Sequence, residues 1–101
     1  MTKEKTVRLY SDQNAQSRRT IDLTLRANGS IRLEAGDVGP LVERMFGDGD
    51  YEFWVTVEPD AVAALCFALL QDRFSGDANA IDHLRSFCEA EGVRCDFGSW
   101  A

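Results

Sequence analysis

The stretch TIDLTLRANGSIRLEA, residues 20–35, constrains this chain more than any other. Ile21, Leu23 and Leu25 alternate with polar residues, Asn28-Gly29 follows, and Ile31 and Leu33 resume the alternation. Period-two hydrophobicity on both sides of Asn-Gly is the signature of a β-hairpin. Its register follows from the same residues. A two-residue Asn-Gly loop would set Leu25 against Arg32 and mix both faces. A three-residue loop, Ala27-Asn28-Gly29, sets Leu25 against Ile31 and Leu23 against Leu33, with Gly29 in the left-handed position of a type I turn plus bulge. A slip by one residue would turn one strand's apolar side chains to water, so the three-residue loop is predicted. This register places Asp22 opposite Glu34, a repulsion that Arg8 or Arg32 can relieve.

Two more segments alternate. KTVRLY puts Val7 and Leu9 on one side, with Arg8 and Tyr10 on the other. YEFWVTVE puts Tyr51, Phe53, Val55 and Val57 on one side, with Glu52, Trp54, Thr56 and Glu58 on the other. DVGPLVERMFG reads as a short helix capped by Asp37 and ended by Gly47. Pro59-Asp60 opens a helix through Phe74 that is apolar nearly all round, which predicts cover on two sides. Ser75-Gly76 breaks it. Asp77 is expected to cap a further helix with the stripe Ile81, Leu84, Phe87 and Cys88, closed by Gly92 and Val93. VRCDF reads as a last short strand. The expected order is β-β-β-α-β-α-α-β, an α+β fold in one domain, residues 1–101. A mostly antiparallel sheet of about five strands carries its helices on one face.

At 101 residues the chain is too short to divide into two independent cores. The start MTKEKTVRLY lacks the apolar region of a secretory signal. The longest apolar run, AVAALCFALL, rises only about 15 Å as a helix, half of a bilayer core. No membrane partner is expected. Three cysteines without CxxC spacing fit free thiols in a reducing cytoplasm. The net charge of −6 is uneven. Residues 1–35 carry seven bases against four acids, and residues 36–101 four bases against thirteen acids. The acidic balance makes nucleic acid an unfavourable partner.

The motifs that suggest catalysis or metal binding fail on spacing. In GDGDYEFW, Asp48, Asp50 and Glu52 match the first ligands of an EF-hand. Phe53 stands where glycine is needed and Pro59 where the last glutamate is needed. No lysine follows Lys5, so there is no P-loop. Cys66, Cys88, Cys95 and His83 lack zinc spacing, and the cysteines fall on apolar stripes as three packed thiols. No metal, cofactor or catalytic residue is expected.

The outer face of the sheet is the candidate binding surface, with Arg8, Tyr10, Arg26, Arg32 and Trp54 as its contact residues. Trp, Tyr and Arg dominate the energetic centres of protein interfaces. The sequence therefore predicts a non-enzymatic protein-interaction module that binds another protein or a second copy of itself. The alternative is a small ligand-binding domain or enzyme with a pocket between sheet and helices.

Residues 36–101 resemble a group of small bacterial proteins of similar length, through DVGP, DYEFWVTV, ALCFALL, AIDHLRSFC and FGSW. The resemblance implies no activity, cofactor or site residue. Size and acidity are also similar to those of toxin-neutralising immunity proteins.

Overall fold

The computed structural model describes residues 2–14, 17–39, 44 and 50–100. The chain divides into two compact units, Met1–Cys66 and Phe67–Ala101. The first is built on a four-stranded antiparallel sheet in the order β1 (Lys5–Gln13), β2 (Arg18–Leu25), β3 (Ile31–Val38) and β4 (Asp50–Val57). A 3₁₀ turn at Pro59–Ala61 leads into α1 (Val62–Phe74), which runs across the boundary between the units. The second unit also holds α2 (Ala80–Glu91). The fold class is α+β, with four strands among the described residues. VRCDF forms no strand there; Val93–Phe97 is irregular chain.

The β2–β3 hairpin has the predicted register. Leu25 faces Ile31, Leu23 faces Leu33, and Asp22 faces Glu34. The Arg26 N–H donates to the Ser30 carbonyl and the Gly29 N–H to the Arg26 carbonyl, closing a three-residue loop. Gly29 has φ +89°. The Asn28 side-chain oxygen accepts from both the N–H and the hydroxyl of Ser30, which is completely buried. These bonds satisfy the polar groups that the turn removes from water.

Strand β3 extends further than the sequence suggested. It runs to Val38, and Asp37, expected to cap a helix, is a strand residue opposite Arg19. The cross-strand bond to Arg19 displaces the capping role. The helix expected after the Asp37 cap does not begin there, since Val38 is still strand; the rest of it, residues 40–47, and the loop residue Asp48 lie outside the described residues, apart from Arg44.

Register sorts the sheet into two faces, because paired residues share a side. One face carries Val7, Ile21, Leu23, Leu25, Ile31, Leu33, Ala35, Phe53, Val55 and Val57. The other carries Thr6, Arg8, Asp22, Thr24, Arg32, Glu34, Trp54 and Thr56. Strand β1 contains an irregularity that its alternation hid. Arg8 faces Asp22, but Tyr10 faces Ile21, so Leu9 is an extra residue. This β-bulge inverts the parity of everything after it. Tyr10 therefore lies on the apolar face, not beside Arg8.

The helices end as their glycines predict. Gly76, at φ +81°, follows α1. Gly92, at φ +69°, closes α2 in a Schellman motif, with the Val93 N–H donating to the Cys88 carbonyl and the Gly92 N–H to the Glu89 carbonyl. The N-cap of α2 is Asn79 and not Asp77, which lies in the preceding turn, where its carboxylate accepts from the Asn79 N–H and contacts His83 Nδ1 at 2.6 Å. The His83 hydrogen bond, then the Asn79 one, hold the Asp77 carboxyl below the usual carboxylate range.

Burial along the helices departs from expectation. Val62 and Leu65 are half-buried, whereas Phe67 and Leu69 on α1 and Ile81 and Phe87 on α2 are exposed. Among the described residues, Ala35 and Cys88 are the buried apolar ones. The three thiols are likewise not alike. Cys88 is buried, but Cys66 and Cys95 are exposed, Cys95 because the chain after Gly92 is not a strand with an inward side.

Two outcomes follow from these local geometries. Gly29→Ala forces a side chain into the left-handed region without a clash, since an added Cβ would sit 3.7 Å from Pro59 Cβ. Chemical denaturation should therefore show a loss of about 1–2 kcal/mol, and an unchanged midpoint would refute the turn geometry. A thiol reagent should modify two cysteines promptly in the native protein and the third, Cys88, only on unfolding. Three protected thiols would contradict the exposure of Cys66 and Cys95.

Candidate interaction surface

The polar face of the sheet is held by cross-strand pairs. Thr6 and Thr24 join through their hydroxyls at 2.9 Å. Arg8 Nε donates to Asp22 Oδ1 at 2.5 Å. This ion pair supplies the cation that the facing carboxylates of Asp22 and Glu34 require, as the sequence anticipated. Both partners are solvated, so its worth is at most about 1 kcal/mol.

Trp54 stands opposite Glu34, and the guanidinium carbon of Arg32 lies 4.5 Å from its ring centroid. The Trp54 side is 54% exposed, so the indole is an outward platform covered in part by Arg32. Stacking suits guanidinium because it is planar and weakly hydrated. It also leaves Arg32 Nε buried without a hydrogen-bond partner among the described residues. Arg26 lies one residue beyond β2, half-buried, with its backbone closing the hairpin. The structure thus brings Arg8, Arg32 and Trp54 onto one face, with Arg26 at its hairpin end, and separates Tyr10 from them.

Tyr10 belongs to a different group at the far end of the apolar face. Its hydroxyl donates to Asp12 Oδ2 at 3.2 Å, and the Asp12 charge raises its pKa, with Arg19 acting weakly in the opposite sense. Arg19 grips Asp37 with two parallel bonds, Nε to Oδ1 and Nη2 to Oδ2, each 2.6 Å. The same guanidinium lies 5.4 Å from the Phe53 ring centroid, and Phe53 contacts Tyr51 at 5.3 Å between centroids. Sequence reasoning missed Arg19. The signal was present: the hairpin that sets Leu25 against Ile31 also sets Arg19 against Asp37 when extended six residues.

The second unit has an open groove of 590 Å³ along α2 and the chain that follows it, lined by Arg85, Ser86, Glu89, Arg94, Cys95 and Phe97 among others. Arg85 sits 4.0 Å from the Phe97 ring centroid. Acids and bases mix along its walls, so it favours neither sign of ligand. Among the described residues no cluster of three or more His, Cys, Asp or Glu is placed to hold a metal ion, and no helix is long and apolar enough to cross a membrane. No protein family, curated protein or solved structure matches the chain.

Hydrogen bonding to Arg19 lowers the Asp37 pKa, and partial burial works against it. A carboxyl that ionises at lower pH when folded adds stability above its unfolded pKa, about 4, and loses it as pH falls through the folded value. The stability gap between wild type and Asp37→Asn should therefore be largest near neutral pH and shrink in acid, measured as urea midpoints. A gap that is constant from neutral to strongly acid pH would rule out the ion pair as its source.

Proposed function

We propose that the protein is a non-enzymatic protein-interaction module, regulatory or immunity-like in character, that docks another protein on the polar face of its sheet. The supporting observation is Trp54, more than half exposed and stacked under Arg32 on β4, an edge strand of the hydrogen-bonded four-stranded sheet. A rigid indole offers a large contact area at low entropic cost. Arginines elsewhere on the same face can give charge-assisted hydrogen bonds to carboxylates or carbonyls of the partner. The surface mixes signs, since Asp22, Glu34 and Glu52 accompany Arg8 and Arg32. It therefore suits a protein with both charges better than a polyanion. Free cysteines fit a cytoplasmic setting.

The test uses wild type and Trp54→Ala as parallel baits, followed by calorimetric titration of the protein captured by wild type. Truncation at Trp54 should weaken binding by about 2 kcal/mol or more, as central interface aromatics do. It should cost the fold no more than about 1 kcal/mol, the worth of an exposed cation–π contact. Equal affinity for the two baits would reject the polar face as the docking surface.

A further inference from the structure

The two edges of the sheet are built differently. Strand β1 is interrupted by the bulge after Arg8 and carries Lys5 and Arg8, features that discourage the addition of a further strand. Strand β4 forms the other edge. Among the described residues it pairs with β3 alone, in one unbroken register from Asp50 to Val57. It contains no proline, lysine or arginine, and residues 50–55 are exposed. A regular edge of aromatic and β-branched residues is a template for another strand.

We propose that a second copy of this chain adds to this edge, β4 antiparallel to β4 about a two-fold axis at Trp54, joining two four-stranded sheets into one of eight. The choice of partner rests on self-complementarity. Two-fold antiparallel pairing sets residues whose numbers have a constant sum opposite each other, and the sum is even if apolar face is to continue into apolar face. Centring the axis on Glu52 would set that carboxylate against itself. Centring it on Val55 would set Glu52 against Glu58, and centring it on Phe53 would set Glu52 against Trp54. The Trp54 centre matches Phe53 with Val55 and Tyr51 with Val57 on the apolar side, all aromatic with β-branched, a favourable cross-strand class. On the polar side it matches Glu52 with Thr56 and the two Trp54 rings with each other. The like charges it opposes, Asp50 and Glu58, fall at the extremities of the ladder. The inference stands on the edge; it shares Trp54 with the polar-face reading, but its test reads self-association and not affinity for a different protein.

Sedimentation velocity over a wide concentration range tests it. Wild type should show a monomer–dimer equilibrium. Thr56→Glu sets a carboxylate against Glu52 of the other copy at both ends of the two-fold pair, and should weaken association at least about tenfold. In the monomer the new carboxylate faces Arg32, so the fold is retained, as a thermal melt will verify. Adding Glu52→Lys to Thr56→Glu converts both repulsions into ion pairs and should restore the dimer. The proposal is overturned by a wild type that sediments as a monomer throughout, by Thr56→Glu dimerising like wild type, or by a double variant that stays monomeric. The polar-face reading survives each of these outcomes, since it is judged by affinity for a different protein.

Discussion

The three-residue turn Ala27-Asn28-Gly29 is the constraint on which the sheet depends. It closes with two backbone hydrogen bonds, places Gly29 in the left-handed region and ties Ser30 to Asn28. A loop one residue shorter or longer would shift β3 against β2 by one. Because side chains alternate with period two, that shift would exchange Ile31 and Leu33 with Arg32 and Glu34. The turn therefore decides not only which strands pair but which chemistry each face presents. Pairing of β4 with β3 carries the decision outward, so that Val55 joins Leu33 and Trp54 joins Glu34.

That register has an electrostatic consequence. Asp22 and Glu34 are forced into opposition, and the conflict is relieved by Arg8 from β1. The first strand must therefore be in step with β2 as far as Arg8. Beyond that point the bulge at Leu9 breaks the step and returns Tyr10 to the apolar side, within reach of Asp12. The sheet's two ends thus differ in kind. One is a plain ladder around Thr6 and Thr24, and the other is a charged and aromatic cluster of Arg19, Asp37, Tyr51 and Phe53. A bulge next to such a cluster re-aims a side chain, which is a common use of the feature.

Several large apolar side chains stand outward in the chain, among them Val55 on the sheet, Phe67 on α1 and Phe87 on α2. Scattered exposed apolar residues are ordinary, but grouped ones mark surfaces that meet other molecules. The regular edge of β4 and the platform of Trp54 both belong to this outward-facing chemistry. Binding through a hydrogen-bonded sheet needs little rearrangement of backbone, which keeps the entropic cost of association low.

Period-two alternation and turn chemistry were enough to determine four strands, the hairpin register, the Asp22–Glu34 conflict with its cation, and the ends of both helices. These are local properties: each is set by residues within a few positions or by the steric freedom of glycine. Tertiary structure alone decided the rest. The bulge at Leu9 could not be read, because KTVRLY alternates without a flaw and only pairing with β2 reveals the extra residue. Asp37 has the sequence context of a helix cap, yet Arg19, eighteen positions earlier, holds it in a strand. Cys95 sits in an alternating segment that forms no strand pairing among the described residues. In each case local pattern supplies a preference, and a partner distant in sequence, or the lack of one among the described residues, settles which preference is realised.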